Sequence, residues 1–335
     1  MRRRFLALAA ASVLAWTAPV QAGPFSALYA FGDSLSDVGN AYTITLGQVP
    51  PAPYAGGRFS NGPVWVESLA AGLGLGAQTP ALLGGTNYAF GGANTGTTPT
   101  HTANPSDLIG QFQAFSAAHG SGAPSDALYT VWIGANDLFG ALGEGPAAAR
   151  ATADAAVGNV QTVLRGLAEA GARDVLLATA PDLGQTPRLN DDPGAAAAGS
   201  ALAAYFNQSL VSALRADTLL SGLDLRVLDS YALIADAVAR PSAYGFSNVT
   251  DACLAPSAGS ATGTACAAAD TRLFWDSIHP TAAAHAEIGR QALDLVTRAP
   301  GGGTPGVAAV PEPGSLVLLG AGVVALTWTR RRRAA

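Results

Sequence analysis

Residues 27–36 read Ala-Leu-Tyr-Ala-Phe-Gly-Asp-Ser-Leu-Ser, an apolar run that stops at a glycine followed by polar side chains. Later runs have the same form and also stop at a glycine or a polar cluster: 86–90, 127–133, 174–179 and 223–228. Short runs that are apolar on both faces are typical of strands in a parallel sheet. The sequence therefore predicts buried parallel strands, each followed by a polar turn.

Alanine-rich stretches with helical patterns lie between the apolar runs: 64–73, 108–118, 147–170, 195–219 and 281–297. Alternating strands and helices predict an α/β fold, a three-layer α/β/α sandwich with a central parallel sheet and right-handed crossovers. Ligands of such sheets bind outside the carboxyl ends of the strands. We therefore expect the polar clusters at Ser34, at Gly91 and Gly92, and at Asn136 to line one crevice.

The composition excludes several classes of protein. The chain has 335 residues, of which 49% are hydrophobic and 12% charged, so too much of it is apolar for intrinsic disorder over most of its length. All 18 basic residues are arginine, and seven lie at the two ends, which leaves 11 arginines against 22 acidic residues, a net charge of −11, in between. Such an acidic body repels phosphate backbones, so we expect no nucleic-acid partner.

The amino terminus predicts an export signal over residues 1–22. Arginines at 2–4 precede an apolar stretch at 5–16, and Val-Gln-Ala at 20–22 ends in the small residue that signal peptidases prefer. The alternative, an amphipathic first helix of the fold, requires a polar face that the apolar stretch does not have. The mature domain is therefore expected to span 23–299.

The carboxyl terminus predicts a second targeting segment. A glycine-rich linker at 300–309 precedes Val-Pro-Glu-Pro at 310–313, an apolar run of 16 residues at 314–329, and four arginines. The apolar run is slightly short for an untilted span, but the arginines that end it favour one membrane-inserted helix within 310–335. The alternative, a buried core helix, requires the linker to fold back onto the body.

The order Pro-Glu-Pro, apolar run and arginine cluster resembles the PEP-CTERM sorting signal of Gram-negative bacteria that produce exopolysaccharide. The resemblance implies a transient membrane anchor that a membrane-embedded sorting protease cleaves near residues 311–313. The protein would then be released to the cell surface or the medium.

The two cysteines, Cys253 and Cys266, enclose a short loop rich in small residues. In an oxidising compartment a single pair of cysteines is most simply a disulfide. A metal site would need more cysteine or histidine nearby, and neither cysteine has a plausible base beside it. We therefore expect a structural disulfide, no metal and no cofactor.

Ser34 is the best candidate for a nucleophile, because it follows a strand at a sharp turn. A serine hydroxyl needs a base to take its proton. His279 fits this role, since Asp276 stands three residues before it, a spacing at which the carboxylate can accept the Nδ1 proton of the ring. The alternatives are a serine and an aspartate that only cap helices, and an unrelated histidine.

Gly92 and Asn136 are candidates for an oxyanion hole, the group of N–H donors that stabilises a tetrahedral intermediate. Glycine lets its backbone N–H approach closely, and asparagine offers a side-chain amide. Alternatively, Gly91 and Gly92 form an ordinary turn and Asn136 caps a helix. The loops at 43–58 and 95–105 are expected to shape the pocket.

Together these clusters resemble the GDSL branch of the SGNH hydrolases. The matching blocks are Gly-Asp-Ser-Leu-Ser at 32–36, Asn-Tyr-Ala-Phe-Gly-Gly-Ala at 87–93, Gly-Ala-Asn-Asp at 134–137 and Asp-Ser-Ile-His-Pro at 276–280. The resemblance covers about residues 26–298 and implies a flavodoxin-like fold. No Gly-x-Ser-x-Gly motif is present in the sequence, which argues against the α/β-hydrolases.

The resemblance also implies roles for these residues. Ser34 attacks an ester carbonyl, His279 acts as base and then as acid, and Asp276 orients it. The backbone N–H of Ser34, Gly92 (with Gly91 as the less favoured choice) and Asn136 form the oxyanion hole. The expected protein is an exported serine esterase or lipase whose substrate is a small-molecule, lipid or acetylated-sugar ester. The alternatives are a polysaccharide O-acetylesterase that uses the same site and a non-catalytic matrix or surface protein.

Overall fold

The computed structural model of the protein describes residues 24–120, 122–255 and 263–298. Its centre is a four-stranded parallel sheet in the order β1-β2-β3-β4. The strands are β1 (Leu28–Gly32), β2 (Leu128–Trp132), β3 (Asp174–Ala178) and β4 (Asp224–Leu228). The central parallel sheet predicted from the apolar runs is thus confirmed.

The run 86–90, predicted as a strand, pairs with the free edge of β1 but is not a regular strand. The N–H of Tyr88 donates to the carbonyl of Ala30 at 2.7 Å, and the N–H of Phe90 donates to the carbonyl of Gly32 at 3.1 Å. On its other side, the carbonyl of Asn87 accepts from the Ala81 N–H and from the Asn40 side chain. In place of a regular ladder, Asn87 forms one isolated bridge to Ala30 of β1 and one to Pro80.

Eight α-helices accompany the sheet within the described residues, and the sequence predicted five of them. Their bounds are α1 (Asn40–Ile44), α2 (Trp65–Gly72), α3 (Leu108–His119), α4 (Ala135–Ala141), α5 (Pro146–Ala170), α6 (Pro193–Ala216), α7 (Ser230–Ala239) and α8 (Ala282–Thr297). The longest two, α5 and α6, begin at a proline, whose fixed φ suits the first helical position. The unpredicted helices are α1, α4 and α7, of which α1 and α4 span only five and seven residues.

The strand side chains alternate between two cores, one on each face of the sheet. On one face Phe31 and Val131 pack among side chains of α3, α5 and α6. On the other face Leu28 and Trp132 pack among side chains of α2 and α8. Both cores are buried, which confirms the predicted three-layer α/β/α sandwich.

Short strands that the sequence did not predict lead towards the final helix. Strand β5 (Asn248–Ala252) pairs in parallel with β8 (Arg272–Phe274), and β6 (Leu254–Ala255) pairs antiparallel with β7 (Thr264–Ala265). The predicted disulfide is present: Cys253 and Cys266 are joined with a Cα–Cα distance of 4.9 Å. It ties β6 to β7 beside the segment that carries Asp276 and His279.

The predicted export signal (1–22), linker (300–309) and sorting segment (310–335) lie outside the described residues. Among the residues that are described, none of the helices combines the length and the apolar character needed to cross a bilayer.

Candidate active site

Ser34 lies at the carboxyl end of β1, where the chain turns sharply. Gly32 has a φ of +153°, and a Cβ there would come within 2.3 Å of the Trp132 carbonyl oxygen, so a glycine is required. The Leu35 N–H donates to the Asp33 carboxylate at 2.9 Å, which closes a turn around the serine. The turn leaves Ser34 at the edge of the sheet, 7% exposed.

The structure brings Ser34, His279 and Asp276 together, although the serine and the histidine are 245 positions apart. The Ser34 Oγ lies 2.8 Å from the His279 Nε2, and the His279 Nδ1 lies 2.6 Å from the Asp276 Oδ2. The other oxygen of Asp276 accepts the backbone N–H groups of Ile278 and His279 at 2.8 and 2.7 Å. The carboxylate therefore holds both the turn and the ring.

Tyr54 is a further member of this network, and sequence reasoning missed it. Its hydroxyl donates to the Asp276 Oδ2 at 2.6 Å, and its ring packs edge-on against Trp275. Burial alone would raise the pKa of Asp276, but the charge of His279 and hydrogen bonds from His279, Tyr54 and the Ile278 N–H lower it to about 2. Asp276 is therefore ionised at neutral pH. Tyr54 belongs to a loop without periodic pattern, so no sequence signal pointed to its partner.

The backbone around Gly91 and Gly92 separates the roles of the two glycines. The Gly91 N–H donates to the buried Asp37 carboxylate at 2.8 Å and is therefore engaged. Gly92 has a φ of +77°, and none of the hydrogen bonds among the described residues uses its N–H. Gly92 is thus the glycine whose N–H remains available for a ligand.

Asn136 lies in the first turn of α4, directly after β2. Its side-chain amide donates to the Ala93 carbonyl at 2.8 Å, which ties α4 to the glycine turn. A small cavity at the carboxyl ends of β1 and β2 is lined by residues that include Ser34, Asn136 and His279. It joins two of the three clusters predicted to share a crevice, whereas Gly91 and Gly92 are not among its lining residues.

Two further carboxyls of the sequence motifs are buried at the site. Burial raises the pKa of Asp33 to about 7, against the opposing effect of the Leu35 N–H. Burial likewise raises the pKa of Asp137 to about 6, and Asp137 binds both the N–H and the hydroxyl of Thr95 at 2.9 Å. Through Thr95, Asp137 anchors the loop at 95–105. The contact of Asp33 with Leu35 and that of Asp137 with Thr95 therefore hold the backbone in place.

A larger groove of about 460 Å³ opens beside His279. The loop 49–54 forms one wall, and Leu254 and Ile278 belong to the other side. The wall residues of the loop are Val49, Pro50, Pro51, Ala52, Pro53 and Tyr54, so it is mainly apolar. The segment 43–58 was expected to shape the pocket, and its residues 49–54 line this groove.

Within the part of the chain that the structure describes, no group of three or more histidine, cysteine and acidic side chains is arranged to hold a metal ion. The groups that converge at the site are a hydroxyl, an imidazole, a carboxylate and amide N–H donors. This is the set that acyl transfer through a covalent serine intermediate requires.

The chain is similar to several known proteins. The chain is 28% identical over 338 aligned positions to a phosphatidylcholine-sterol acyltransferase of Aeromonas hydrophila, covering 88% of this chain and 97% of the relative. It is 26% identical over 302 positions to the thermolabile hemolysin of Vibrio parahaemolyticus, covering 83% of this chain and 65% of the hemolysin. Among solved structures, a catalytic mutant of an acetylxylan esterase from Geobacillus stearothermophilus aligns over 83% of this chain and 96% of its own, with 15% identity and a TM-score of 0.46.

Two family profiles match different parts of the chain. The PEP-CTERM protein-sorting motif matches residues 309–333, which confirms the resemblance of the tail and indicates export and surface sorting. The profile of the GDSL-like lipase/acylhydrolases matches residues 28–292, a range that contains all four motif blocks. This chain therefore belongs to the GDSL-like lipase/acylhydrolase family, and it is a carboxylic ester hydrolase.

Proposed function

We propose that Ser34 is the nucleophile of this hydrolase, that His279 is its general base and acid, and that Asp276 positions the histidine. The observation that carries the proposal is the pair of short contacts, 2.8 Å from the Ser34 Oγ to the His279 Nε2 and 2.6 Å from the His279 Nδ1 to Asp276. An ionised carboxylate at Nδ1 leaves Nε2 as the proton acceptor that faces the serine.

In the first half of the reaction, the Ser34 Oγ bonds to the ester carbonyl carbon while its proton passes to the His279 Nε2. The tetrahedral intermediate collapses by breaking the bond to the alcohol oxygen, which takes the proton from His279. In the second half, water repeats the sequence against the acyl-enzyme: its proton goes to His279, the Ser34 ester bond breaks, and the serine recovers a proton. The products are the alcohol and the carboxylic acid.

The Ser34 N–H, the Gly92 N–H and the Asn136 amide would donate to the oxyanion. Gly92 is favoured over Gly91, because the Gly91 N–H is already bonded to Asp37 at 2.8 Å. Each such donor contributes about 10²–10³-fold to the rate of acyl transfer when it is preorganised.

The groove beside His279 supports a substrate with an apolar acyl chain. Its wall of valine, proline and alanine offers surface to hydrocarbon, whereas an acetyl group fills little of a volume of about 460 Å³. Two relatives are named for phosphatidylcholine-sterol acyl transfer and for hemolysis. We therefore propose a lipid ester as the substrate, and an acetylated polysaccharide is the competing outcome of the test.

A further part of the proposal concerns processing. Residues 1–22 are removed on export, the domain at 23–299 folds outside the cytoplasm, and the segment 310–335 anchors it until a sorting protease cleaves near 311–313. The disulfide Cys253–Cys266 supports an oxidising destination. Mass spectrometry of the protein from its native host should give an amino terminus near Gly23 and a carboxyl terminus near Pro311.

The test is a panel of p-nitrophenyl esters from acetyl to palmitoyl, with phosphatidylcholine and acetylated xylan beside them. Ser34→Ala and His279→Ala should each lower kcat by about 10³-fold or more. Ser116→Ala is the matched control, since that hydroxyl donates within its own helix to the Phe112 carbonyl. Activity that survives in both site variants contradicts the proposed roles.

A wild-type protein without activity on any ester, and without labelling by a fluorophosphonate, would favour a non-catalytic surface protein. A preference for acetyl esters and acetylated xylan would favour the O-acetylesterase. A preference of the enzyme for acyl chains longer than butyryl supports a lipid ester as the substrate.

A further inference from the structure

The large apolar side chains that are exposed to solvent are concentrated in one place. Of the seven such side chains among the described residues, six lie on α1, on the turn that follows it, or on the turn at 81–83 beside it. We call these six residues the apolar rim: Tyr42, Ile44, Leu46, Val49, Leu82 and Leu83. Leu46 is 88% exposed and Ile44 is 65% exposed. Concentrated apolar exposure of this kind marks an interaction site more often than scattered single residues do.

The rim is held in this conformation by specific contacts. The Gly47 N–H donates to the Tyr42 carbonyl at 2.8 Å, which closes the turn after α1. The Leu82 N–H donates to the Asn40 side chain at 3.1 Å, which attaches the second turn to α1. The exposure of these side chains is therefore built into the fold.

Leu46 has an unfavourable backbone conformation for its residue type. Its φ is +54°, the only positive φ at a residue other than glycine in the described part of the chain. The left-handed region disfavours leucine and suits glycine or asparagine. A strained backbone that presents a leucine to water, where glycine would fit better, indicates a function for that side chain.

The rim is also free of charge in an acidic protein. Residues 40–57 and 68–106, which contain the whole rim, include no aspartate, glutamate, arginine or lysine. The acidic residues that give the body its net negative charge lie elsewhere. The six side chains of the rim carry no formal charge, so their insertion into an uncharged or zwitterionic surface desolvates no charge of their own.

The rim is continuous with the groove at the active site. Val49 is both 42% exposed and part of the groove wall, and His279 lines the same groove. An acyl chain taken from a lipid surface at the rim would therefore meet the groove at Val49.

We propose that the apolar rim docks the protein on the surface of a zwitterionic lipid bilayer, with the mouth of the groove facing the lipid. Leu46 and Ile44 insert at the interface, since they are the most exposed members on α1 and its turn. The purpose of the docking rests on the proposed function, because it delivers a lipid ester to Ser34, but the docking itself requires no catalysis.

The first experiment measures docking locally, in the full chain. Leu46→Cys is labelled with an environment-sensitive fluorophore, which is selective because Cys253 and Cys266 are paired. With phosphatidylcholine vesicles we expect its emission to shift to the blue. Leu219→Cys is the control: Leu219 is 60% exposed and precedes β4, at the opposite end of the sheet from the site. Its emission should not change.

Each other result overturns the proposal. Unchanged emission at position 46 with vesicles shows that the rim does not enter lipid. A blue shift that grows with protein concentration in the absence of vesicles assigns the rim to a second copy of the chain. A blue emission that is already present in dilute protein shows that another segment of this chain covers it.

The second experiment separates docking from catalysis. We compare the hydrolysis of phosphatidylcholine vesicles with that of soluble p-nitrophenyl acetate in the variant Ile44→Gln/Leu46→Asn, since asparagine tolerates a left-handed backbone. The ratio of vesicle to soluble activity should fall about tenfold. Leu219→Asn should leave the ratio unchanged.

An unaltered ratio in Ile44→Gln/Leu46→Asn overturns the proposal even if the enzyme is active. If the wild type hydrolyses neither substrate, the proposed function fails, and the fluorophore at position 46 still decides whether the rim binds lipid.

Discussion

Tyr54 and His279 share one oxygen of Asp276. The Tyr54 hydroxyl donates to Oδ2 at 2.6 Å, and the His279 Nδ1 lies 2.6 Å from the same atom. Because the tyrosine takes part of the charge of the carboxylate, it sets how strongly Asp276 stabilises a protonated ring. In the proposed mechanism Tyr54 is therefore a positioning residue that acts through the aspartate.

We predict that Tyr54→Phe lowers kcat/KM about three- to tenfold and moves the acid limb of the pH–rate profile to higher pH. The Tyr54 hydrogen bond helps to lower the pKa of Asp276, so without it the carboxylate that contacts the ring is protonated at higher pH. Tyr205→Phe is the control, since its hydroxyl binds Asp154 at 2.9 Å, away from the site. An acid limb that does not move in Tyr54→Phe contradicts this role.

Gly92 and Gly245 allow a matched test of the oxyanion hole. Their φ angles are +77° and +76°, and a Cβ at either position would meet no atom within 4 Å. Gly92→Ala and Gly245→Ala should therefore both lower the free energy of unfolding by about 1 kcal/mol through backbone strain. Only Gly92→Ala should also lower kcat, by about tenfold, because strain moves its N–H. Equal activities of the two variants would remove Gly92 from the oxyanion hole.

Because His285 is buried, we expect the protein to lose stability in acid. Burial, with a smaller effect from His279, lowers the pKa of His285 from 6.5 to about 3. Between these values the unfolded chain binds a proton that the folded protein does not, so this contribution to stability is complete above pH 6.5 and is lost as the pH falls. The expected slope is about 1.4 kcal/mol per pH unit.

The backbone N–H of Trp65 donates to the His285 Nδ1 at 3.4 Å. His285→Asn keeps an acceptor for this N–H, and the asparagine does not titrate. Urea unfolding at several pH values should therefore show a shallower acid slope in this variant, whatever its stability at neutral pH. Identical slopes for the variant and the wild type would show that His285 is not the group responsible.

The disulfide closes a loop with a sequence separation of 13. On the chain-entropy model, closing so short a loop stabilises the protein by about 3 kcal/mol. Cys253→Ser/Cys266→Ser should lower the free energy of unfolding by about 2–3 kcal/mol in urea titrations. It should also affect long-chain esters more than short ones, because Leu254, next to Cys253, lines the groove. A reducing agent should reproduce the loss in the wild type and leave the double variant unaltered.

The sequence predicted those parts of the fold and site that depend on local pattern. Apolar runs that stop at polar turns placed β1 to β4, and the ends of these strands placed Ser34 and Asn136. The spacing of Asp276 and His279 predicted their contact, because three residues of a turn bring the two side chains together.

The sequence did not predict features that depend on contacts between distant segments. Tyr54 meets Asp276 across 222 positions, and Asp37 occupies the N–H of Gly91 across 54, and neither contact leaves a periodic signal. The run 86–90 has the composition of a strand, but side chains such as Asn40 take up its backbone groups. Local propensity was outweighed there by hydrogen bonds from elsewhere in the chain.

The loop 49–54 has two tasks, since it walls the groove and also carries the hydroxyl that contacts Asp276. A substitution that reshapes this wall for a different acyl chain would also displace Tyr54 and so alter the strength of the base. In the proposed mechanism selectivity and turnover are therefore coupled, because a substitution that changes which acyl chain the loop accepts also changes how fast Ser34 reacts.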